Sequence, residues 1–503
     1  MKENHLYYQS TRGDNQKRVL SAEAIIQGMA KDGGLFVPVN IPRLILNQDF
    51  SKVKKIDYQT LAYLVMKEFF TDYQPEELIY SINQAYDSKF DSKAITPLCP
   101  KMGVYFLELF HGPTLAFKDL ALSLLPHLLK KAVQKLGLPD KEIVILTATS
   151  GDTGKAALQA FANVEGTKII VFFPHRGVSK IQERQMLTQE GENTLVIGLR
   201  GNFDDAQRGV KEIFEDPVFN KGMGEKGYLF SSANSINIGR LVPQVVYYFS
   251  AYGQMLSKGE IQKGEKINVV VPTGNFGNIL AAFYAKEMGL PINRLICASN
   301  ENKVLTDFFR SGVYDRRREL ISTISPSMDI LVSSNLERWL WSIHGKEAQK
   351  VKELMESLRN KGFYQITDTV AKQKLEDFYG EFASQEECRQ RIKEVFKESK
   401  YLLDPHTAVA FAVYQKYRKE TQDYKTKTVI AATASPFKFT KSVMESLDSR
   451  YQEFDDFALI KEMSDLIEVP VPVGIKDIEK RPIRHPLVCK KEEMKAEIAK
   501  FLA

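Results

Sequence analysis

Lys118 is the residue whose surroundings most suggest chemistry. It lies in the run His111-Gly112-Pro113-Thr114-Leu115-Ala116-Phe117-Lys118-Asp119. The apolar stretch Val104 to Phe110, with Glu108 as its carboxylate, reads as a strand, and the apolar periodicity of Leu120 to Val133 reads as a helix. Gly112 and Pro113 set the turn between them. An amine beside Phe117 and other apolar groups is desolvated, loses proton affinity, and becomes nucleophilic enough to form a Schiff base with an aldehyde. The aldehyde most often used this way is pyridoxal phosphate (PLP). A solvated surface charge is the plain alternative for a lone lysine at a helix start.

The elements that must position Lys118 alternate. Strands are expected at Ile143 to Ala148, Lys168 to Phe173, Thr194 to Leu199, Tyr228 to Ser231, Ile267 to Val271, Arg294 to Ala298 and Val429 to Ala434. Helices between them include Lys155 to Ala162, Ser179 to Glu190 with Ser179 as cap, Asn237 to Tyr252 capped by Asn237, and Ile279 to Met288. Such alternation implies parallel sheets with crossover helices, and ligands on such sheets sit beyond the C-terminal strand ends. The loops 111–119, 149–154, 232–237, 273–278 and 433–436 all fall there and point to one shared site. Gly274, Asn275, Phe276, Gly277 and Asn278 join a strand to a helix, so backbone N–H groups and the positive dipole end can cradle an anion. Ser150 and Thr153, in Ser150-Gly151-Asp152-Thr153-Gly154, suit a carboxylate. Asp152 is open between a helix cap and the site. Lys155 is expected on the solvated face of its helix, with the site as the alternative.

Four stretches, HGPTLAFKD, LTATSGDTG, SSANSINIGR and PTGNFGN, occur in the order and at the spacing of the PLP-dependent threonine synthases. The chain resembles the enterobacterial and fungal branch of that family from Ser10 to about Phe439. The resemblance implies an α/β fold of type II: two parallel-sheet PLP-enzyme domains, tryptophan synthase beta-like, with an N-terminal mainly helical region. The expected division is 1–98 for the N-terminal region, 99–146 and 253–503 for the large PLP-binding domain, and 147–252 for the small substrate-binding domain.

The resemblance also implies roles. Lys118 would carry PLP and act as the base, Gly274 to Asn278 would hold the PLP phosphate, and Thr433 would bond the pyridine nitrogen. Asn234, Ser235 and Arg240, with Arg176 and Lys180 as further candidates, would hold a substrate phosphate, since arginine's planar fork matches phosphate. His111 is expected to be a hydrogen-bonded structural residue, while His406 is open between that and a contact to substrate. The implied reaction turns O-phospho-L-homoserine and water into L-threonine and phosphate. The rivals are a related lyase that releases 2-oxobutyrate, ammonia and phosphate, and an inactive PLP-fold binding protein. Three positions depart from the family pattern: Thr273 where serine is common, Asn278 where aspartate is common, and Ser435 where histidine is expected.

Bulk properties agree. With 503 residues the chain should form about two to four domains. A net charge of +6, spread over 69 basic and 63 acidic residues, argues against nucleic acid and suits an anionic small substrate. Cys99, Cys297, Cys388 and Cys489 show neither disulfide nor zinc spacing, so no metal and a reducing compartment are expected. Met1 to Arg12 lacks an apolar signal core and no apolar run spans a membrane, so the expectation is a cytoplasmic monomer or homodimer without an N-terminal regulatory segment. Other expectations are a helix Ser21 to Ala30 capped by Ser21, two helices at Tyr58 to Phe70 and Pro75 to Phe90, a solvated Arg316-Arg317-Arg318 run, and a tail after Leu447 that wraps the surface. Arg12, beside Gly13, is the N-terminal residue to watch.

Overall fold

The longest apolar runs of the chain become inner strands of two sheets. The computed structural model describes residues 5–13, 17–44, 56–138, 140–149, 151–175 and 178–503. In chain order the strands are β1 (Tyr8–Ser10), β2 (Phe36–Pro38), β3 (Leu98–Lys101), β4 (Val104–Glu108), β5 (Glu142–Ala148), β6 (Thr167–Pro174), β7 (Thr194–Leu199) and β8 (Tyr228–Ser231). They continue as β9 (Ile267–Pro272), β10 (Ile292–Ser299), β11 (Val313–Asp315), β12 (Phe363–Gln365), β13 (Phe378–Phe382), β14 (Thr428–Ala432) and β15 (Val488–Cys489).

The first sheet has the order β13-β10-β9-β14-β4-β3 and is parallel except for the β3–β4 hairpin at its edge. The second has the order β15-β7-β6-β5-β8 and is parallel throughout. Helices cover both, which is why β9 and β14 are buried at every position and read as unbroken apolar runs. The chain leaves the first sheet after β4, builds β5 to β8, and returns along the helix Ile238–Ser257, most of whose residues are buried.

This α/β architecture agrees with the expected fold class, with local differences. The expected domain boundary after 146 falls inside β5, which belongs wholly to the second sheet. The tail does not merely wrap the surface. Val488 and Cys489 pair with Gly198 and Leu199 as an added edge strand, and the helix Met494–Phe501 buries Met494 and Ile498 against the second sheet's core. The helix expected over Leu120 to Val133 is two helices, Lys118–Leu122 and Leu125–Lys135. The break falls just before Pro126, which has no N–H to donate to the preceding turn.

The N-terminal helices are Ser21–Gln27, Tyr58–Met66 and Pro75–Ala85. Ser21 is not the cap of its helix. Its hydroxyl donates to Asp72, and the same carboxylate accepts from the N–H of Ala22 at 3.0 Å. Asn237 does cap its helix, accepting from Gly239 N–H at 2.9 Å, while its amide donates to the carbonyl of Ile25 at 2.9 Å. One side chain thus starts the return helix and ties it to the N-terminal region. A second tie is bidentate: Arg12 donates to Glu337 from Nε at 2.7 Å and from a terminal nitrogen at 2.6 Å. The arginine run is laced rather than simply solvated, with Arg317 on Asp315 and Arg318 on Asp307 at 2.8 Å each.

Candidate active site

Local hydrogen bonding places Lys118 beside the end of β14. A Cβ on Gly112 would lie 2.5 Å from the Asp119 carboxylate, so the turn closes directly on Asp119. That carboxylate accepts from the N–H of Thr114 at 2.8 Å and its hydroxyl at 2.6 Å. Burial pushes the Asp119 carboxyl up, against these hydrogen bonds. Leu115, at a φ of 63°, accepts from Ser435 N–H at 3.0 Å, and Phe117 N–H donates to the Thr433 carbonyl at 2.9 Å. Segments 115–117 and 433–435 therefore pair, and Lys118 opens its helix next to Thr433.

Asp152 is the centre of the site. Its Oδ2 lies 3.3 Å from Lys118 Nζ and accepts from the Ser327 hydroxyl at 2.9 Å. Its Oδ1 lies 3.1 Å from Lys438 Nζ and accepts from the Gln182 amide at 2.8 Å. Asp152 is the first residue of the helix Asp152–Phe161 and caps nothing, so of the two readings left open the structure favours the site. Burial alone would raise its pKa, but Lys118 and Lys438 outweigh burial and hold the carboxyl far below the ordinary range. Burial also lowers the proton affinity of Lys118, and Lys438 and Arg240 act the same way, against Asp152.

The loop Gly274 to Asn278 packs on the segment 325–335. Gly274 accepts from the Ser333 hydroxyl at 2.7 Å, and Asn275 accepts from the Asn335 N–H at 3.1 Å and its amide at 2.9 Å. Phe276 is buried with a φ of 63°, and no side chain caps the helix Gly277–Glu287 that follows, so its first N–H groups have no intrahelical partner. Tyr247 and Tyr248 donate to Asn278 Oδ1 at 2.6 and 2.5 Å. Asn278 Nδ2 and Arg240 Nε are buried without a hydrogen-bond partner among the described residues. Arg240 also donates to the Ala233 carbonyl at 2.8 Å, and burial lowers its pKa to about 10.

The other expected site residues divide. Asn234 accepts from the Thr147 hydroxyl at 3.1 Å, and Ser235 lies 3.5 Å from the Asn335 amide. Asn234 thus sits at the end of β5, and Ser235 meets the Gly274 loop through Asn335. Thr153 is half-buried in the first turn after Asp152. His406 donates from Nδ1 to Asp404 at 2.8 Å and accepts at Nε2 from Ser327 N–H at 3.2 Å. Both ring nitrogens are used, so His406 reaches the site through Ser327. Lys180 is not brought in: 65% exposed, it pairs with Asp455 at 3.0 Å. Ser150 and Arg176 lie outside the described residues.

Lys155 corrects an expectation. It is buried rather than solvated, and it donates to Gln159 at 3.3 Å and to Gln189. Burial, with Lys438 and Arg481, lowers its pKa to about 7. Lys438, Ser327, Gln182 and Asn335 were missed. Only Lys438, just beyond the Thr433 strand end, carried a signal in its position.

His111 is held by hydrogen bonds. Its ring nitrogens face Asp91 and Glu108, the latter at 2.9 Å, and only an imidazolium can donate to both. Burial pulls its pKa down, but the two carboxylates outweigh burial and raise it to about 9. A raised folded pKa gives stability that is complete below the ordinary histidine value and is lost as pH rises through about 9. Asp91 is exposed, which discounts the pair. His111→Gln should therefore cost about 1–2 kcal/mol near pH 6, and urea denaturation should show the difference closing in alkali.

Residues 7–86 match the family described as threonine synthase N terminus, 91–433 the pyridoxal-phosphate dependent enzymes, and 407–484 the threonine synthase C-terminal family. The threonine synthase of Saccharomyces cerevisiae is 37% identical over 88% of this chain and 89% of its own. The chain belongs to the threonine synthase family. A Pseudomonas aeruginosa threonine synthase is 39% identical over 87% of the chain and 89% of its own length. The human threonine synthase-like 1 protein is 41% identical over 85% of the chain, which spans 58% of that longer relative. Among solved structures, yeast threonine synthase superposes with a TM-score of 0.88 at 34% identity. The PLP-bound enzyme of Brucella melitensis superposes at 0.86 and 33%, each pair covering 99% of both chains. The expected family and fold class therefore hold, and no helix among the described residues is long and apolar enough to cross a membrane.

Proposed function

We propose that this chain is a threonine synthase that converts O-phospho-L-homoserine and water into L-threonine and phosphate with PLP as cofactor. The observation that carries the reading is the placing of Lys118, 12% exposed, against the buried Asp152, at strand ends that also present the uncapped first turn of the helix Gly277–Glu287. These residues fit PLP. The unpartnered donors Asn278 Nδ2 and Arg240 Nε need acceptors, and a phosphate-bearing ligand supplies them. Lys118 would hold the carbonyl carbon, the N–H groups of Gly274 to Asn278 the phosphate, and Thr433 the ring nitrogen. When bound, PLP supplies an electron sink for the charge left by proton loss.

The chain's own residues do the rest. Lys118, once its amine has given up its proton, would be the base for the substrate's α-proton. Asp152, held by Lys438, Gln182 and Ser327, fixes where that amine stands. Ser150 and Thr153 would bind the substrate carboxylate; Asn234, Ser235 and Arg240 would bind its phosphate. Lys180 is dropped from that set because its surface pair with Asp455 satisfies it, and Arg176 stays a candidate. A cytoplasmic monomer or homodimer is part of the same proposal.

Gly274→Ala tests the phosphate loop. An added Cβ would lie 2.7 Å from the Ser327 carbonyl oxygen and 3.3 Å from Met328 Cα, both backbone atoms. PLP affinity should fall on the order of tenfold or more in a fluorescence titration. The function itself is tested by incubating the protein with O-phospho-L-homoserine. Phosphate and threonine in equal amounts are expected. Phosphate with 2-oxobutyrate and no threonine would assign the lyase instead, and neither product would overturn the substrate.

A further inference from the structure

We propose that Lys438 is a positioning residue for Lys118: it serves as the standing cation of Asp152, so that Lys118 can face the same carboxylate as a neutral amine. This rests on the reading of Lys118 as the residue that bonds the cofactor's carbonyl carbon.

Lys438 lies in the turn Pro436–Phe439, and its side chain is 0% exposed. Among the described residues its ammonium group has two acceptors, Asp152 Oδ1 at 3.1 Å and the Thr114 carbonyl at 2.8 Å. The remaining donors to Asp152, Ser327 and Gln182, are neutral. One buried carboxylate thus faces two lysines, and it compensates only one buried positive charge. Lys438 is the better placed of the two to stay charged. Among the described residues Lys118 has only the longer contact of 3.3 Å to Asp152, and its amine stands 5.6 Å from the Phe117 ring. The pairing of 115–117 with 433–435 sets both lysines on either side of Asp152.

Other charged groups surround this trio. Arg240, from the helix Ile238–Ser257, adds positive charge toward Lys118. Asp119, on the helix of Lys118, is bonded by Thr114 and lies within electrostatic reach of Lys438, and His406, from the helix Pro405–Thr421, has its ring nitrogens on Asp404 and Ser327. Lys438 and Arg481 both act on Lys155 as like charges.

The neutral form matters because only its lone pair can attack a carbonyl. The nitrogen adds to the carbon, gives up two protons, and the carbonyl oxygen leaves as water. Without the Lys438 charge, Asp152 would belong to Lys118 alone and would raise its proton affinity. An opposite charge at this range shifts such a group by about one unit or more, or tenfold in the neutral fraction.

The test uses the full chain freed of cofactor, with PLP as the probe. Bond formation is followed by visible absorbance across pH, and the site is read by borohydride reduction and peptide mapping. In Lys438→Met the rate near pH 7.5 should fall about tenfold and recover as the pH rises by a unit or more, whereas Lys438→Arg should keep the wild-type profile. Lys438→Gln, which retains a donor for the Thr114 carbonyl, carries the same expectation if the Met variant does not fold. An unmoved pH profile in the neutral variant, with Lys118 still labelled, overturns the proposal alone, whatever the loss of stability or turnover. Wild-type protein that takes no label at Lys118 overturns the functional reading and the proposal together.

Discussion

Lys118→Ala is expected to reduce threonine formation by on the order of 10³- to 10⁴-fold, the scale of losing a positioned base, and to remove the borohydride-fixed PLP label entirely. The fold should survive. Lys118 is the first residue of its short helix, where a side chain contributes little to the helix itself, and its loss leaves Asp152 still paired with Lys438. The Thr114–Asp119 clasp and the pairing of 115–117 with 433–435 use no atom of the lysine side chain. Paired assays of phosphate and threonine check the loss, and circular dichroism checks the fold. A variant that keeps more than a tenth of the wild-type rate would mean that another group takes the α-proton.

Asp152→Ala is expected to be the most destabilising single change in the site, by roughly 3–5 kcal/mol, because it leaves the fully buried Lys438 ammonium without its counter-charge. The urea midpoint of the variant should fall accordingly. Combining it with Lys438→Met, which removes the stranded charge, should recover much of the loss, since directly paired groups are not additive. The sign of the pH dependence follows from the depressed carboxyl. A folded pKa below the unfolded one gives stability that is complete above the ordinary carboxylate range and is withdrawn as pH falls toward the folded value. The wild-type protein should therefore lose stability in acid more steeply than the double variant. Equal acid slopes would mean that Asp152 does not carry the pair's stability.

Much of the site was legible because its parts are local. Gly112 and Pro113 mark the turn that presents Lys118, and Gly274 to Asn278 mark a strand-to-helix join, each within a few residues of the group it serves. Asn237 and Ser179 were readable as caps for the same reason, and both accept the N–H bonds expected of them. Where the cap is remote, local reading failed: Asp72, not Ser21, accepts the free N–H at the start of the helix Ser21–Gln27. Lys155 and Lys180 failed together. Both are lysines near helix starts, and nothing near them in the chain says that one is buried on Gln189, whose carbonyl faces His485 of the tail, while the other meets Asp455 at the surface.

What the sequence by itself determined was the alternation of strands and helices, the loops that meet at the strand ends, and the place of Lys118 where a strand hands over to a helix. Apolar period, glycine and proline geometry, and desolvation of an amine all act over short stretches of chain. Only the tertiary structure decided the partners of that lysine. Asp152, Ser327 and Lys438 approach from segments far apart in the chain, and β15 returns from its end to complete the second sheet. Those choices depend on which buried charge finds which counter-charge once water is excluded. That is a property of the assembled core and leaves no local pattern behind.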